Sequence, residues 1–179
     1  QIGSGNIGAT NVLRTGNKLA AFLTLLLDGG KGAAAVLLAR ALAADDAATL
    51  AGLARFLGHS FPVWLGFQGG KGVATFVGTM LVGFWPVGLA VIATWLIMAA
   101  IFRSSSLAAL AAAMAAPFAA YLWGRLDVAL MAGVLTVLSY WLHRANISRL
   151  LKGEEPRSGG KKDKTADADL PDSDSDTDS

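Results

Sequence analysis

Six apolar stretches, at residues 19–42, 47–57, 73–85, 87–102, 107–123 and 128–142, fill most of the chain and leave only short polar or Gly/Pro-rich joints between them. Of all 179 residues, 54% are hydrophobic and only 16% are charged. So few charges cannot clothe a soluble body of this size, and lipid is the natural cover for so much apolar surface. A membrane helix needs about 20 residues to cross about 30 Å of hydrocarbon. Several stretches fall short of that unless their flanks continue as helix through protein-lined space. The fold expected is an all-α polytopic membrane protein with six transmembrane helices. Asp45-Asp46, Trp85-Pro86, Arg103 to Ser106, Gly124 to Asp127 and His143-Arg144 put a charge, a turn former or an interfacial aromatic at the expected helix ends.

Charge divides the chain into two regions. Residues 1–152 hold 11 Lys+Arg against 4 Asp+Glu, whereas 153–179 hold 4 against 9. The first is the expected transmembrane domain. The second is poor in large apolar residues and ends in alternating Asp, Ser and Thr, so it is expected to be a disordered acidic cytoplasmic tail. The chain opens on Gln1 with nothing like a signal peptide, which suggests that a preceding segment was removed or is absent. If the spans alternate in direction, residues 1–18, 58–72, 103–106 and those after 143 share one side of the membrane. That side carries Arg14, Lys18, Lys71, Arg103, Arg144, Arg149 and Lys152, while Arg40 and Arg125 lie opposite beside Asp45, Asp46 and Asp127. The positive-inside bias makes the first side cytoplasmic.

The same side collects three polar segments. GSGNIGATNVLR, from Gly3 to Arg14, combines glycines that permit close backbone approach with hydroxyl, amide and guanidinium donors suited to an oxyanion. In GHSFPVWLGFQGGKGVAT, from Gly58 to Thr75, Gly69-Gly70-Lys71-Gly72 leads into an apolar helix and offers free N–H groups and an ammonium at its start, which suits phosphate. This is not a nucleotide P-loop, since no earlier glycine has the right spacing and no Ser/Thr follows Lys71. The third segment, HRANISRLLKGE from His143 to Glu154, is a cationic amphipathic helix with His143 and Asn146 three apart on one face. Arg144, Arg149 and Lys152 read there as snorkelling anchors.

Asp28 and Lys31, at i and i+3 inside an apolar span, read as a mutual pair facing the bundle interior, holding a helix or facing the site. Arg103 and Ser106 offer one more cation and hydroxyl, or equally a helix cap. With no cysteine, thiolate nucleophiles and cysteine-ligated metals are excluded. The two histidines have no carboxylates at ligand spacing, and neither is followed by Asp five residues on, which disfavours metal catalysis and soluble-type acyl-CoA chemistry. No cofactor and no nucleic-acid partner is expected. Transport of a phosphorylated metabolite is the main rival, but it calls for repeated halves with a mid-membrane site, and no internal repeat is present. A purely structural module that attracts anionic lipid leaves GSGN and GGKG unexplained.

GSGNIGATNVLRT, GHSFPVWLGFQGGKGVAT and HRANISRLLKGEE, together with D-xx-K-G at Asp28 and R-xx-S-L at Arg103, resemble in order and spacing the signature segments of the acyl-phosphate:glycerol-3-phosphate acyltransferases, the PlsY family of bacterial membrane enzymes. The resemblance covers about residues 1–155 and implies seven helices, of which the first precedes Gln1. It implies transfer of an acyl group from acyl phosphate to glycerol 3-phosphate, giving lysophosphatidate and phosphate. The donor comes from a soluble acyl-phosphate synthase, the expected partner. The catalytic residues implied are Ser4, Arg14, Lys71, His143 and Asn146. Gly3, Gly5, Asn6, Thr10, Asn11, His59, Gly69, Gly70, Gly72, Arg103 and Ser106 bind substrate and phosphate. Ser4 is read as a hydrogen-bonding group rather than a nucleophile, because no Ser-His-Asp pattern surrounds it. His59 either hydrogen-bonds within its own loop or assists proton movement.

Overall fold

The computed structural model describes residues 7–43 and 45–156, the side chains of Asp45 and Asp46 excepted. Ser4, Gly3, Gly5 and Asn6, and the tail beyond Pro156, lie outside the described residues. Among the described residues eight α-helices follow one another, α1 (Ala9–Leu13), α2 (Lys18–Leu42), α3 (Asp45–Ser60), α4 (Val73–Gly83), α5 (Trp85–Phe102), α6 (Ser105–Leu122), α7 (Leu126–Leu142) and α8 (Arg144–Lys152), with one 3-10 turn, Val63–Leu65, between α3 and α4. Each of the six apolar stretches becomes one helix, α2 to α7. Their boundaries follow local chemistry. The Asn17 side chain accepts from Ala20 N–H at 2.9 Å to start α2, Pro86 sits in the first turn of α5 where no N–H is needed, and Ser104 caps α6 through Leu107 N–H at 3.3 Å.

The expected count of six full-length spans does not follow from helix length. Among the described residues, only α2, α5 and α6 are long and apolar enough to cross a membrane, and a fourth is reached by taking α7 with α8 across their 63° bend. The 11 residues of α4 rise only about 16 Å. Gly72 opens α4 and the extended Phe84 closes it. Phe84 also carries the chain straight into α5, so the helix is stopped at both ends by backbone geometry rather than by loss of apolar character.

Small residues let these helices meet at backbone distance. Gly78 of α4 lies against the Gly29 carbonyl of α2, where a Cβ would overlap that oxygen. The core is formed by Phe56, Met80, Val87, Val91, Leu135 and an alanine-rich face of α6. Leucines of α2 such as Leu19, Leu27 and Leu38, and Ile97 and Ile101 of α5, point outward and are more than half exposed, as a lipid-facing surface requires. Pro117 inside α6 supplies no N–H for the Ala113 carbonyl. The Thr136 hydroxyl of α7 donates to that carbonyl at 2.6 Å and to Ala132 O at 2.7 Å, so a group the helix cannot satisfy becomes a tie between helices.

The two ends of the bundle differ. At one end Arg40 donates to the last carbonyls of α4, Val82 O at 2.6 Å and Gly83 O at 2.7 Å. There too Arg125 lies 5.0 Å over the Phe84 ring and pairs with Asp127 at 2.7 Å. The other end gathers the glycine-rich and histidine-bearing segments.

Candidate active site

The Gly-rich loop before α4 is built onto the end of α3. Gly70 N–H donates to His59 O at 3.3 Å, and Gly70 forms a parallel bridge with Ile7. The first and second polar segments are therefore neighbours, as the shared membrane side required. Gly72 starts α4 at φ 72°, with the Phe56 ring packed where a side chain would be. Only glycine meets both conditions. The first N–H groups of α4 have no partner within the helix and face this end of the bundle.

Lys71 and Asn146 are bonded directly, the ammonium donating to Oδ1. Asn146 Nδ2 donates to Ser106 Oγ at 2.8 Å and to Glu155 Oε1 at 2.7 Å. The Ser106 hydroxyl donates to the same Glu155 oxygen at 2.5 Å, and Arg149 Nε donates to Glu155 Oε2 at 2.8 Å. Four elements thus meet through side chains: the Gly-rich loop, the start of α6, the buried face of α8 and the residues after it. Burial pushes the Lys71 ammonium below the ordinary lysine pKa, although Glu155 acts in the other direction. At Glu155 burial opposes ionisation, but hydrogen bonds from Ser106, Asn146 and Arg149 outweigh it and hold the carboxyl below its usual range.

His143, at the α7–α8 bend, is 3% exposed. Its Nδ1 lies 2.8 Å from Ser139 O. A carbonyl can only accept, so Nδ1 carries a proton, and in the neutral ring Nε2 is the atom with the lone pair. The ring also borders an apolar cleft lined by Phe76 and Val77 of α4, Trp95 of α5, and Ala109 and Ala112 of α6. The charges of Lys71 and Glu155 reach this ring, so it lies between the polar cluster and the apolar cleft.

The remaining expected residues fall in different places. Arg14 ends α1, exposed but close enough for its charge to act on Lys71. Thr10 and Asn11 lie in α1 beside the bridge to the loop. Arg103 stands apart from the cluster: it closes α5 in left-handed conformation with its side chain exposed. Of the two readings for the Arg103–Ser106 joint, the cap falls to Ser104, and Ser106 joins the cluster. His59 lies beneath the loop, its Nδ1 3.7 Å from Asp28 Oδ1 and its Nε2 under the Gly70 Cα. Asp28 pairs with Lys31 at 2.7 Å as expected.

Two residues were misread from sequence. Arg149, taken as a snorkelling anchor, is bound to Glu155, whereas Arg144 is the anchor, 4.7 Å over the Trp141 ring. Glu155, assigned to the acidic tail, is at the centre of the cluster. The sign was present, since HRANISRLLKGEE continues through it and Gly153 turns the chain back at φ 72°.

A family model described as glycerol-3-phosphate acyltransferase matches residues 1–153. The chain belongs to that family. This acyltransferase is 72% identical over 173 residues to the glycerol-3-phosphate acyltransferase of Maricaulis maris, covering 97% of this chain and 80% of the relative. It is 64% identical to that of Jannaschia sp., covering 88% of this chain and 78% of the relative. Its fold matches the crystal structure of PlsY (YgiH), an integral membrane glycerol 3-phosphate acyltransferase, in the glycerol 3-phosphate form, with TM-score 0.83, 40% identity, and 88% and 80% of the two chains covered. The lysophosphatidic acid form matches with TM-score 0.81 and 39% identity over 86% and 80% of the chains.

Proposed function

We propose that this acyltransferase joins an acyl group from acyl phosphate to the 1-hydroxyl of glycerol 3-phosphate at the Lys71–Asn146–His143 rim. The observation that carries this is the position of His143, which borders an apolar cleft and lies within reach of the charges of Lys71 and Glu155 in the donor cluster. Two phosphorylated substrates need cationic and N–H donors, and the acyl chain needs an apolar path between helices. The hydroxyl oxygen bonds to the acyl carbon, the acyl–oxygen bond to phosphate breaks, and the hydroxyl proton passes to a phosphate oxygen. Lysophosphatidate and inorganic phosphate result. An acyl phosphate already carries a good leaving group, so the chief contribution is orientation, which supplies several of the roughly 7–11 kcal/mol available from that source.

In this reading Lys71 and the α4 N-terminus hold phosphate, with Gly69, Gly70 and Gly72 shaping the loop. Arg14, Thr10 and Asn11 bound the pocket from the N-terminal side, and Gly3, Ser4, Gly5 and Asn6 keep the phosphate-binding role that the family motif implies. His143 Nε2 and the Asn146 amide align the attacking hydroxyl, Ser106 adds a donor, and Arg103 attracts anions from outside. In this reading the chain crosses six times, α3 and α4 included, with the rim on the cytoplasmic side of a bacterial inner membrane, where a soluble synthase delivers acyl phosphate. The cationic residues of the rim support that orientation. Residues 1–152 form the catalytic domain in this scheme, to which Glu155 is added. Purified chain in detergent with palmitoyl phosphate and glycerol 3-phosphate yields lysophosphatidate by mass spectrometry; phosphate release without that product defeats the proposal.

A further inference from the structure

The short turn between α3 and α4 shows a run of apolar side chains to the outside. Val63, Trp64, Leu65 and Phe67 are 70%, 77%, 48% and 62% exposed, a cluster rather than the single exposed side chain of an ordinary surface. Phe67 is costly in a second way. It stands at φ 63°, directly after Gly66 at φ 58°, in the left-handed region that glycine or asparagine adopts readily and a bulky ring does not. A turn facing water gains nothing from an aromatic ring at such a position. We propose that Val63–Phe67 is a wedge seated in the headgroup layer of the bilayer, so that the Gly69–Gly72 loop starts at the membrane surface.

Three observations point to lipid as the occupant. The turn satisfies its own backbone: Leu65 N–H and Phe67 N–H donate to Pro62 O at 3.1 and 3.0 Å, Gly66 N–H to Val63 O at 3.1 Å and Gln68 N–H to Leu65 O at 3.1 Å. Backbone paired in this way enters a layer poor in water without leaving donors unmet. The patch is also continuous with the lipid-facing surface. Phe61, at its root, lies 5.7 Å from the Trp141 ring, and Trp141 carries the Arg144 anchor, so the turn and the end of α7 stand at one level. Finally, tryptophans more than half exposed gather at the two ends of the bundle, Trp85 and Trp123 at the Arg40 end, Trp64 and Trp141 at the rim. That is the pattern of paired interfacial belts, in which an amphipathic ring sits at headgroup level. The base of the turn is rigid, because buried Pro62 packs where a side chain on Gly69 would lie. None of this depends on the chemistry proposed above.

The chain has no cysteine, so Trp64→Cys in the full-length protein accepts a single nitroxide label. The protein is placed in nanodiscs of phosphatidylethanolamine and phosphatidylglycerol. Collision rates with oxygen and with a water-soluble nickel chelate then give the depth of the label, read against spin-labelled lipids of known depth. The expected depth lies between the lipid phosphates and the first acyl carbons, with a nickel rate severalfold below that of a label in water. Phe67→Asn keeps a residue suited to the left-handed backbone but removes the ring, and it raises the nickel rate at position 64 severalfold. Trp64→Phe needs no label: comparison with the native chain isolates the emission of Trp64, which lipids brominated on their upper acyl carbons quench. A label that collides as in water overturns the wedge and assigns the patch to a soluble protein partner. A label at mid-hydrocarbon depth, a depth unmoved by Phe67→Asn, or Trp64 emission that brominated lipid leaves untouched overturns it equally.

Discussion

Replacing Gly70 by alanine tests how the loop is held. An added Cβ lies 2.5 Å from His59 Nε2, 2.9 Å from Ile7 O and 3.2 Å from His59 Cε1. Ordinary contact begins at about 3.4 Å, so loop and imidazole must separate by about 0.9 Å. The ring has little room, because its side chain is 8% exposed and its other edge faces Asp28 at 3.7 Å. Overpacking of this kind costs about 1–3 kcal/mol, and the softer partner, the loop with Lys71, takes most of the displacement. A misplacement near 1 Å costs about 10²-fold in catalysis. With phosphate on this loop before and during reaction, as proposed above, the loss is expected on KM for glycerol 3-phosphate, about 10- to 100-fold, with kcat changed far less. Initial rates at varied glycerol 3-phosphate measure it. The cause is isolated by adding His59→Ala: in a double-mutant cycle the pair recovers at least about tenfold, a coupling of about 1.4 kcal/mol. A double variant no better than Gly70→Ala alone refutes the wedge argument, and a Gly70→Ala enzyme with native KM refutes the placement of phosphate on this loop.

Lys71→Met keeps membrane insertion and near-native melting but loses about 10²- to 10³-fold in kcat/KM, as expected for a charge aimed at a phosphate oxygen; transfer assays on purified variant check it. Burial lowers the Lys71 pKa, so the cation is lost, and the alkaline limb of kcat/KM begins, below the ordinary lysine value of about 10.4. Lys71→Arg moves that limb to higher pH. Glu155 has the opposite sense: its depressed pKa contributes stability that is present above the unfolded value of about 4.3 and is lost as pH falls through the folded value. Acid melting curves show that loss, and Glu155→Gln removes the dependence. Thr136→Val leaves the Ala113 carbonyl without its donor and lowers stability by about 1 kcal/mol, which tryptophan-monitored melting reads as a fall of a few degrees with kcat unaltered.

Helix positions were legible because apolar runs and their punctuation are local properties: Asn17, Pro86 and Ser104 sit where caps belong. Span count was not, since the ends of α4 depend on Phe56 packing under Gly72 and on the one-residue link to α5. The meeting of the three polar segments followed from alternating helix direction, and the Ile7–Gly70 bridge and the Lys71–Asn146 bond bear that out. Glu155 escaped because a charge next to an acidic tail looks like part of it, and only the turn at Gly153 brings it back against α6. Thr136 escaped for a related reason: its partner is a carbonyl freed by a proline 19 positions earlier on another helix.

His143 stands between two surroundings, with the charged cluster of Lys71 and Glu155 within electrostatic reach and the greasy cleft against its ring. Neither reactant then has to change phase. On the proposed chemistry the fatty chain stays dissolved in the bilayer while its reactive carbon alone reaches the border, and the sugar-derived alcohol stays in water. The new ester is an amphiphile formed already astride the surface, free to slide sideways into the leaflet without crossing water.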